Sequence, residues 1–190
     1  MNDRVGRYLA EWRIATVIPH LRGKTLDVGC GNNQLILSYK NRGGSKESLG
    51  IDVYPWDGVD LVIENAGNLP FADGSFDTVC CIAALNHIPE RAVFLREAKR
   101  VLCPCGRLVL TMLPPEISRI WHVLRAPWDA DQHERGMKKG EVYGLSSYAM
   151  KTLLETAGFS ITRVSNFMLG INKLYVAENI CVKPICPPLV

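Results

Sequence analysis

The stretch that most narrows the possible folds is Leu26-Asp27-Val28-Gly29-Cys30-Gly31-Asn32-Asn33, followed by Gln34-Leu35-Ile36-Leu37. Leu26 and Val28 favour a strand. Gly29 and Gly31 then break it, and bare glycines allow a tight turn and a close approach of the backbone to a ligand. From Gln34 onward the residues can start a helix. A strand, a glycine turn and a helix N-terminus together form a nucleotide-type site. Asp27 places a carboxylate where a dinucleotide fold would place phosphate, which is the wrong charge for that ligand. A carboxylate suits a ligand that carries an ammonium and a sulfonium.

Three further stretches follow in order. Residues 50–54, GIDVY, end an apolar run with an acid. Residues 68–79, NLPFADGSFDTV, lead into the apolar run 79–85. Residues 97–111, EAKRVLCPCGRLVLT, pass from a helical pattern through a turn into a strand. With LDVGCG, and in this order and spacing, they resemble the motifs of class I S-adenosylmethionine-dependent methyltransferases, most of all the short forms with LPF-x-D-x-S-F-D. The resemblance covers roughly residues 26–111. It implies an α/β fold, a Rossmann-like and mostly parallel seven-stranded sheet with a C-terminal antiparallel hairpin. It also implies S-adenosyl-L-methionine as cofactor and methyl transfer by in-line displacement.

A chain of 190 residues can bury one sizeable core, and residues 1–190 read as one domain with a substrate-side insertion at about 113–143. The net charge of +3 is too small to argue for nucleic acid. The N-terminal MNDRVGRYLAEWR is charged throughout and does not read as a signal peptide. Run 79–85 is too short to span a bilayer, so a cytoplasmic protein is expected. Cys80 and Cys81, adjacent in a strand, face opposite sides and read as reduced core residues. Cys103-x-Cys105 and Cys181 with Cys186 lack zinc-type spacing, so no metal is expected.

The pattern predicts a first helix from an Asn2 or Asp3 cap to about Leu21, stopped by Gly23. The arginines Arg4, Arg7 and Arg13 read as its wet face. Strands follow at 26–28, 49–53, 59–63, 79–85 and 107–112, with helices over 34–41 and from Pro89 to about Leu102. Only Tyr54-Pro55-Trp56-Asp57-Gly58 separates the second and third strands. A parallel connection usually needs a dozen residues or more, so a loop replaces the usual helix and Trp56 covers the thin sheet face. Ser146 or Ser147 caps a helix ending at Gly158, and strands over 159–167 and 174–180 form the hairpin.

Carried residue by residue, the resemblance implies that Gly29, Cys30 and Gly31 meet the methionine part of the cofactor. Asp27 holds its amino group, directly or through water, and Asp52 accepts both ribose hydroxyls. Val53 packs near the adenine, Asn65 accepts from the adenine amino group and the Ala66 amide contacts the ring. Asn33 stands where the family usually has a third glycine, and CPCG replaces its basic-Pro-Gly-Gly. Cys103 and Cys105 read only as builders of that turn.

His87 is the first candidate general base; equally, it shapes the turn before Pro89. His133 is the second, within WDADQHERG at 128–136, which reads either as a polar substrate site or as a solvated loop. Ile117, Ile120, Trp121 and Leu124 share one helical face, which either closes on the pocket as a lid or meets a lipid through residues 117–125. The expected partner is a small-molecule or glycan-precursor acceptor; the sequence sets no oligomeric state. Two rivals stand beside an active methyltransferase: a non-catalytic module that binds S-adenosylmethionine, and a nicotinamide-dependent oxidoreductase. The second leaves NLPFADGSFD and the closing hairpin unexplained.

Overall fold

The computed structural model describes residues 4–117 and 140–179. Its centre is a seven-stranded sheet of β1 (Thr25–Val28), β2 (Leu49–Asp52), β3 (Leu61–Val62), β4 (Phe76–Ile82), β5 (Leu102–Met112), β6 (Phe159–Phe167) and β7 (Asn172–Asn179), in the order β3-β2-β1-β4-β5-β7-β6. The first five strands run parallel, while β7 pairs antiparallel with both β5 and β6. The α/β sheet and its C-terminal hairpin are those expected from the sequence.

Every residue of β1 is buried, as required of a strand with neighbours on both edges and helices on both faces. The chain leaves β1 toward β2 on one side and returns to β4 on the other. Strand order therefore reverses between β1 and β4, and such a switch point opens a crevice at the carboxyl ends of the strands.

The helices are α1 (Arg4–Val17), α2 (Gln34–Asn41), α3 (Arg91–Val101) and α4 (Ser147–Thr156). One face of the sheet packs Val79 and Cys81 against Phe94, Leu95 and Ala98 of α3 and Met150 and Leu154 of α4. The other packs Cys80 and Val109 against Val17 of α1 and Leu35 and Tyr39 of α2. Cys80 and Cys81 thus face opposite sides, and both are free thiols. Ser146 caps α4, its hydroxyl accepting from the Ala149 amide at 3.2 Å.

The NLPFADGSFD stretch is tied onto α3. Arg100 donates to the carbonyls of Leu69 and Phe71 at 2.9 and 2.8 Å, and Glu97 accepts from the Leu69 amide at 2.9 Å. That is one physical reason why EAKR and NLPF occur together.

Several boundaries differ from the sequence expectation. The first α-helix ends at Val17, and a 3-10 turn follows over Ile18–His20 with Pro19 in its first turn. β3 has two residues instead of five, and no helix lies between it and β2. β4 spans Phe76–Ile82 rather than 79–85, because Ala83 turns the chain at a φ of 56° and Leu85–His87 coil into a 3-10 turn. Helix α3 begins at Arg91, two residues after Pro89.

β5 begins at Leu102 rather than Arg107, so CPCG does not interrupt it. Leu102 pairs with Phe76 and Arg107 with Thr78, which makes the intervening residues a bulge. Cys105 sits there at a φ of 60° and is disulfide-bonded. It is therefore more than a turn builder. Among the described residues no helix is long and apolar enough to cross a membrane.

Candidate active site

A cavity of about 430 Å³ opens at the carboxyl ends of β1, β2 and β4. Of the residues singled out in the sequence, Gly29, Gly31, Asp52, Val53, Asn65, Ala66 and His87 line it. Asp27, buried in β1, and Cys30, in the turn after it, are not among the lining residues. His133 and the apolar face beyond Ile117 lie outside the described residues.

The glycine turn is held tightly. The amides of Gly29 and Cys30 both donate to the carbonyl of Ile51, at 2.9 and 3.1 Å. Gly29 has a φ of +77°, and a Cβ there would sit 2.5 Å from Cβ of Ala84. Only glycine lets β1 meet the turn after β4 this closely. Asn33 takes a left-handed backbone, φ 59°, directly before α2. Its amide donates to the Gly58 carbonyl at 2.9 Å and to Asp60 at 2.8 Å. The same Asp60 oxygen accepts from the Gly50 amide at 2.8 Å. Asn33 is therefore a brace between the turn and the short β2–β3 connection.

The charge here is one-sided. Asp52 accepts from the amides of Gly31 at 3.0 Å and Tyr54 at 3.1 Å, which orients its carboxylate at the cavity wall. Asp27 is almost wholly buried, and its Oδ1 has no hydrogen-bond partner. Burial, and then the nearby charge of Asp52, push the Asp27 carboxyl up to about 7. Burial together with Asp27, Asp52 and Asp60 also pushes the Cys30 thiol up, so it stays protonated and unreactive.

These features fit S-adenosylmethionine on physical grounds. A buried acid with an unused oxygen next to a second carboxylate calls for a cationic ligand. Beside them Val53, Trp56, Ile63 and Ala66 supply an apolar wall for a flat ring. The Asn65 side chain accepts from the Gly67 amide at 2.9 Å, which shapes the turn at that wall.

Ile82, Ala83, Ala84, His87, Ile88 and Glu141 also line the cavity. Ala83 is held by its amide, which donates to the buried Thr111 hydroxyl at 3.0 Å. No local motif marks Ala83, whose left-handed turn at φ 56° is set by the fold around it. Glu141 lines the cavity as well, although the sequence draws attention to the acids at 129–134. Its only local mark is its place just after Gly140, at the end of the insertion.

Comparison with known proteins agrees with this geometry. Residues 26–110 match the family described as "Methyltransferase domain". The demethylmenaquinone methyltransferase of Deinococcus radiodurans is 32% identical over 127 residues, covering 58% of this chain and 52% of that protein. The 27-O-demethylrifamycin SV methyltransferase of Amycolatopsis mediterranei is 33% identical over 113 residues, covering 52% of this chain and 42% of that protein. The chain thus matches about half the length of these curated relatives. Among solved structures, a SAM-dependent methyltransferase from Methanosarcina mazei superposes with a TM-score of 0.61 at 22% identity, covering 84% of this chain and 93% of that one. Residues 26–110 thus resemble a methyltransferase domain, and the fold is one shared with solved S-adenosylmethionine-dependent methyltransferases.

Proposed function

We propose that the protein transfers a methyl group from S-adenosylmethionine to a small-molecule acceptor. The observation that carries this reading is Asp52 in the cavity wall with Asp27 buried near it, its Oδ1 unpartnered. Asp27 receives the amino group of the cofactor, directly or through one water. Asp52, already oriented by two amides, has lone pairs left for the ribose hydroxyls. Val53, Asn65 and Ala66 border the adenine.

The cofactor supplies an electrophilic methyl group when bound. What remains for the chain is to orient the acceptor, exclude water and take a proton where the acceptor arrives protonated. His87, which lines the same cavity, is the residue for that last task. The relatives support a small molecule: their names speak of demethylmenaquinone and of 27-O-demethylrifamycin SV. They lend no support to a glycan precursor.

Calorimetry with S-adenosylhomocysteine and NAD tests the cofactor assignment. Binding of the first in preference to the second is the expected result, and preference for NAD would sink it. Turnover of methyl-labelled cofactor with phenolic acceptors then separates an enzyme from a module that only binds.

A further inference from the structure

Two buried polar side chains lie outside the lining of the cavity. Nε of Arg13, and both Nδ2 and Oδ1 of Asn172, are buried without a hydrogen-bond partner. The sequence pattern reads Arg13 as part of the wet face of α1. In the structure it stands one helical turn before Val17, on the face that Val17 turns to Cys80 and Val109. Burial lowers the pKa of its guanidinium, and no carboxylate among the described residues pairs with it.

The fold brings both side chains to one edge of the sheet. Just after α1, the Arg22 amide donates to the Thr78 hydroxyl at 3.1 Å, and Nη1 of Arg107 donates to the His20 carbonyl at 3.2 Å. Val17 then packs at the level of Cys80 and Val109, two residues further along these paired strands. Followed backwards, α1 therefore climbs toward the carboxyl ends of β4 and β5, and Arg13 lies about 6 Å beyond Val17 in that direction. A long helical side chain leans toward its helix N-terminus, so the guanidinium extends the same way. Asn172 opens β7 and alternates with Leu174 and Val176, which belong to the cluster around Val17, so it faces the α1 side of the sheet. Its partner across the hairpin, Phe167, packs on that cluster. Ile82 packs on it too and also lines the cavity, so this edge adjoins the cavity at Ile82.

We propose that Arg13 and Asn172 form a subsite for a carboxylate carried by the methyl acceptor. This rests on the methyl-transfer reading above. An unpaired buried guanidinium is costly, and its planar fork of donors matches the two oxygens of a carboxylate. One cation beside one neutral amide balances a single negative charge, which fits a carboxylate better than a doubly charged phosphate. Asn172 Nδ2 supplies a further donor to that group, and Oδ1 accepts from a hydroxyl or N–H next to it. Asp52 in the cavity wall repels a carboxylate. An acceptor of this kind is thus held with its anion at Arg13 and its other end toward Ile82 and the cavity.

The test uses the full chain, with benzoate, benzamide and inorganic phosphate as probes. Nitrogen-15 NMR of labelled arginine, with the Arg13 Nε signal assigned through Arg13→Met, reads binding at the site itself. In wild type loaded with S-adenosylhomocysteine, benzoate should shift that signal to saturation, and benzamide, which lacks the charge, should bind about 10-fold more weakly or worse. By calorimetry, benzoate affinity should fall about 10-fold or more in Arg13→Met and roughly 3- to 10-fold in Asn172→Leu. Affinity for S-adenosylhomocysteine should stay within about twofold in both. Arg13→Met should melt no lower than wild type, because it removes an uncompensated buried charge, and benzoate should raise the melting temperature of wild type alone.

A lower melting temperature with unchanged benzoate affinity would make Arg13 a structural residue and overturn the proposal. An Arg13 Nε signal that benzoate does not move, or equal binding of benzamide, would overturn it as well. Tighter binding of phosphate than of benzoate overturns the carboxylate assignment. Failure of the wild type to bind S-adenosylhomocysteine rejects the methyl-transfer reading instead, and the benzoate titration repeated without that ligand reads the anion site separately.

Discussion

The two ends of the cavity are built in different ways. The acidic end comes from one short stretch of chain, β1 through the loop after β2, and backbone amides hold it: Gly31 and Tyr54 on Asp52, Gly29 and Cys30 on Ile51. The part around His87 is assembled from distant segments, with His87 and Glu141 separated by 54 positions. A local, amide-held site repeats wherever the same short motif folds. A long-range site depends on how an insertion happens to land. The first is suited to a constant ligand and the second to an acceptor that differs between relatives.

The largest effect that would break this contrast is at Asp52. Asp52→Ala removes a charge-assisted acceptor for two hydroxyls, each such bond being worth roughly 1.5–3 kcal/mol. The affinity for S-adenosylhomocysteine should fall by about 100-fold or more. Affinity within twofold of wild type in a folded variant, measured by calorimetry, would show that the acidic end does not hold the cofactor.

Next comes the pH dependence of the ligand-free protein. The Asp27 carboxyl is raised from 3.8 to about 7 in the folded state, chiefly by burial. Between those values the folded protein keeps a proton that the unfolded chain has lost. This group's contribution to stability is therefore full below about pH 4 and declines as pH rises to about 7, by on the order of a few kcal/mol. Urea unfolding at pH 5, 6, 7 and 8 should show the decline, and Asp27→Asn should flatten it. An equally steep decline in Asp27→Asn would assign the effect elsewhere.

Gly29→Ala is expected to cost about 1–3 kcal/mol of stability, from a left-handed backbone and contact with Ala84. It should also weaken S-adenosylhomocysteine binding, and an unchanged affinity in the folded variant would show that the ligand does not need this close approach to Ala84. The smallest effect is at Asn33. Asn33→Gly gives up bonds to Gly58 and Asp60 but relieves a backbone at φ 59°, so thermal melts should place it within about 1 kcal/mol of wild type. A loss well beyond that would make the brace a principal support of the site.

The same contrast governs what could be read from the sequence. Helix α2 at Gln34–Asn41 and strand β6 at Phe159–Phe167 match their expected bounds, because local pattern and flanking glycines delimit both. Gly29, Gly31, Asp52, Val53, Asn65 and Ala66, which the resemblance singles out, line one cavity, since they lie in short stretches at the ends of neighbouring strands. β5 was misjudged at its start, since CPCG looks like a break while pairing to β4 carries the strand through it as a bulge. The end of β4 was misplaced because an apolar run does not reveal that Ala83 must turn. Glu141 escapes a sequence reading because it meets a histidine far away in the chain. No local period or motif encodes that meeting.

The central claim is that the acidic end receives the cationic amino group of the cofactor through Asp27. Calorimetry of S-adenosylhomocysteine binding at pH 6, in buffers of different ionisation enthalpy, tests it most directly. Asp27 is mostly protonated there in the free protein and must ionise to meet an ammonium group. The expected result is release of close to one proton per ligand bound by the wild type and none by Asp27→Asn. Tight binding with the same proton count in both proteins would contradict the account.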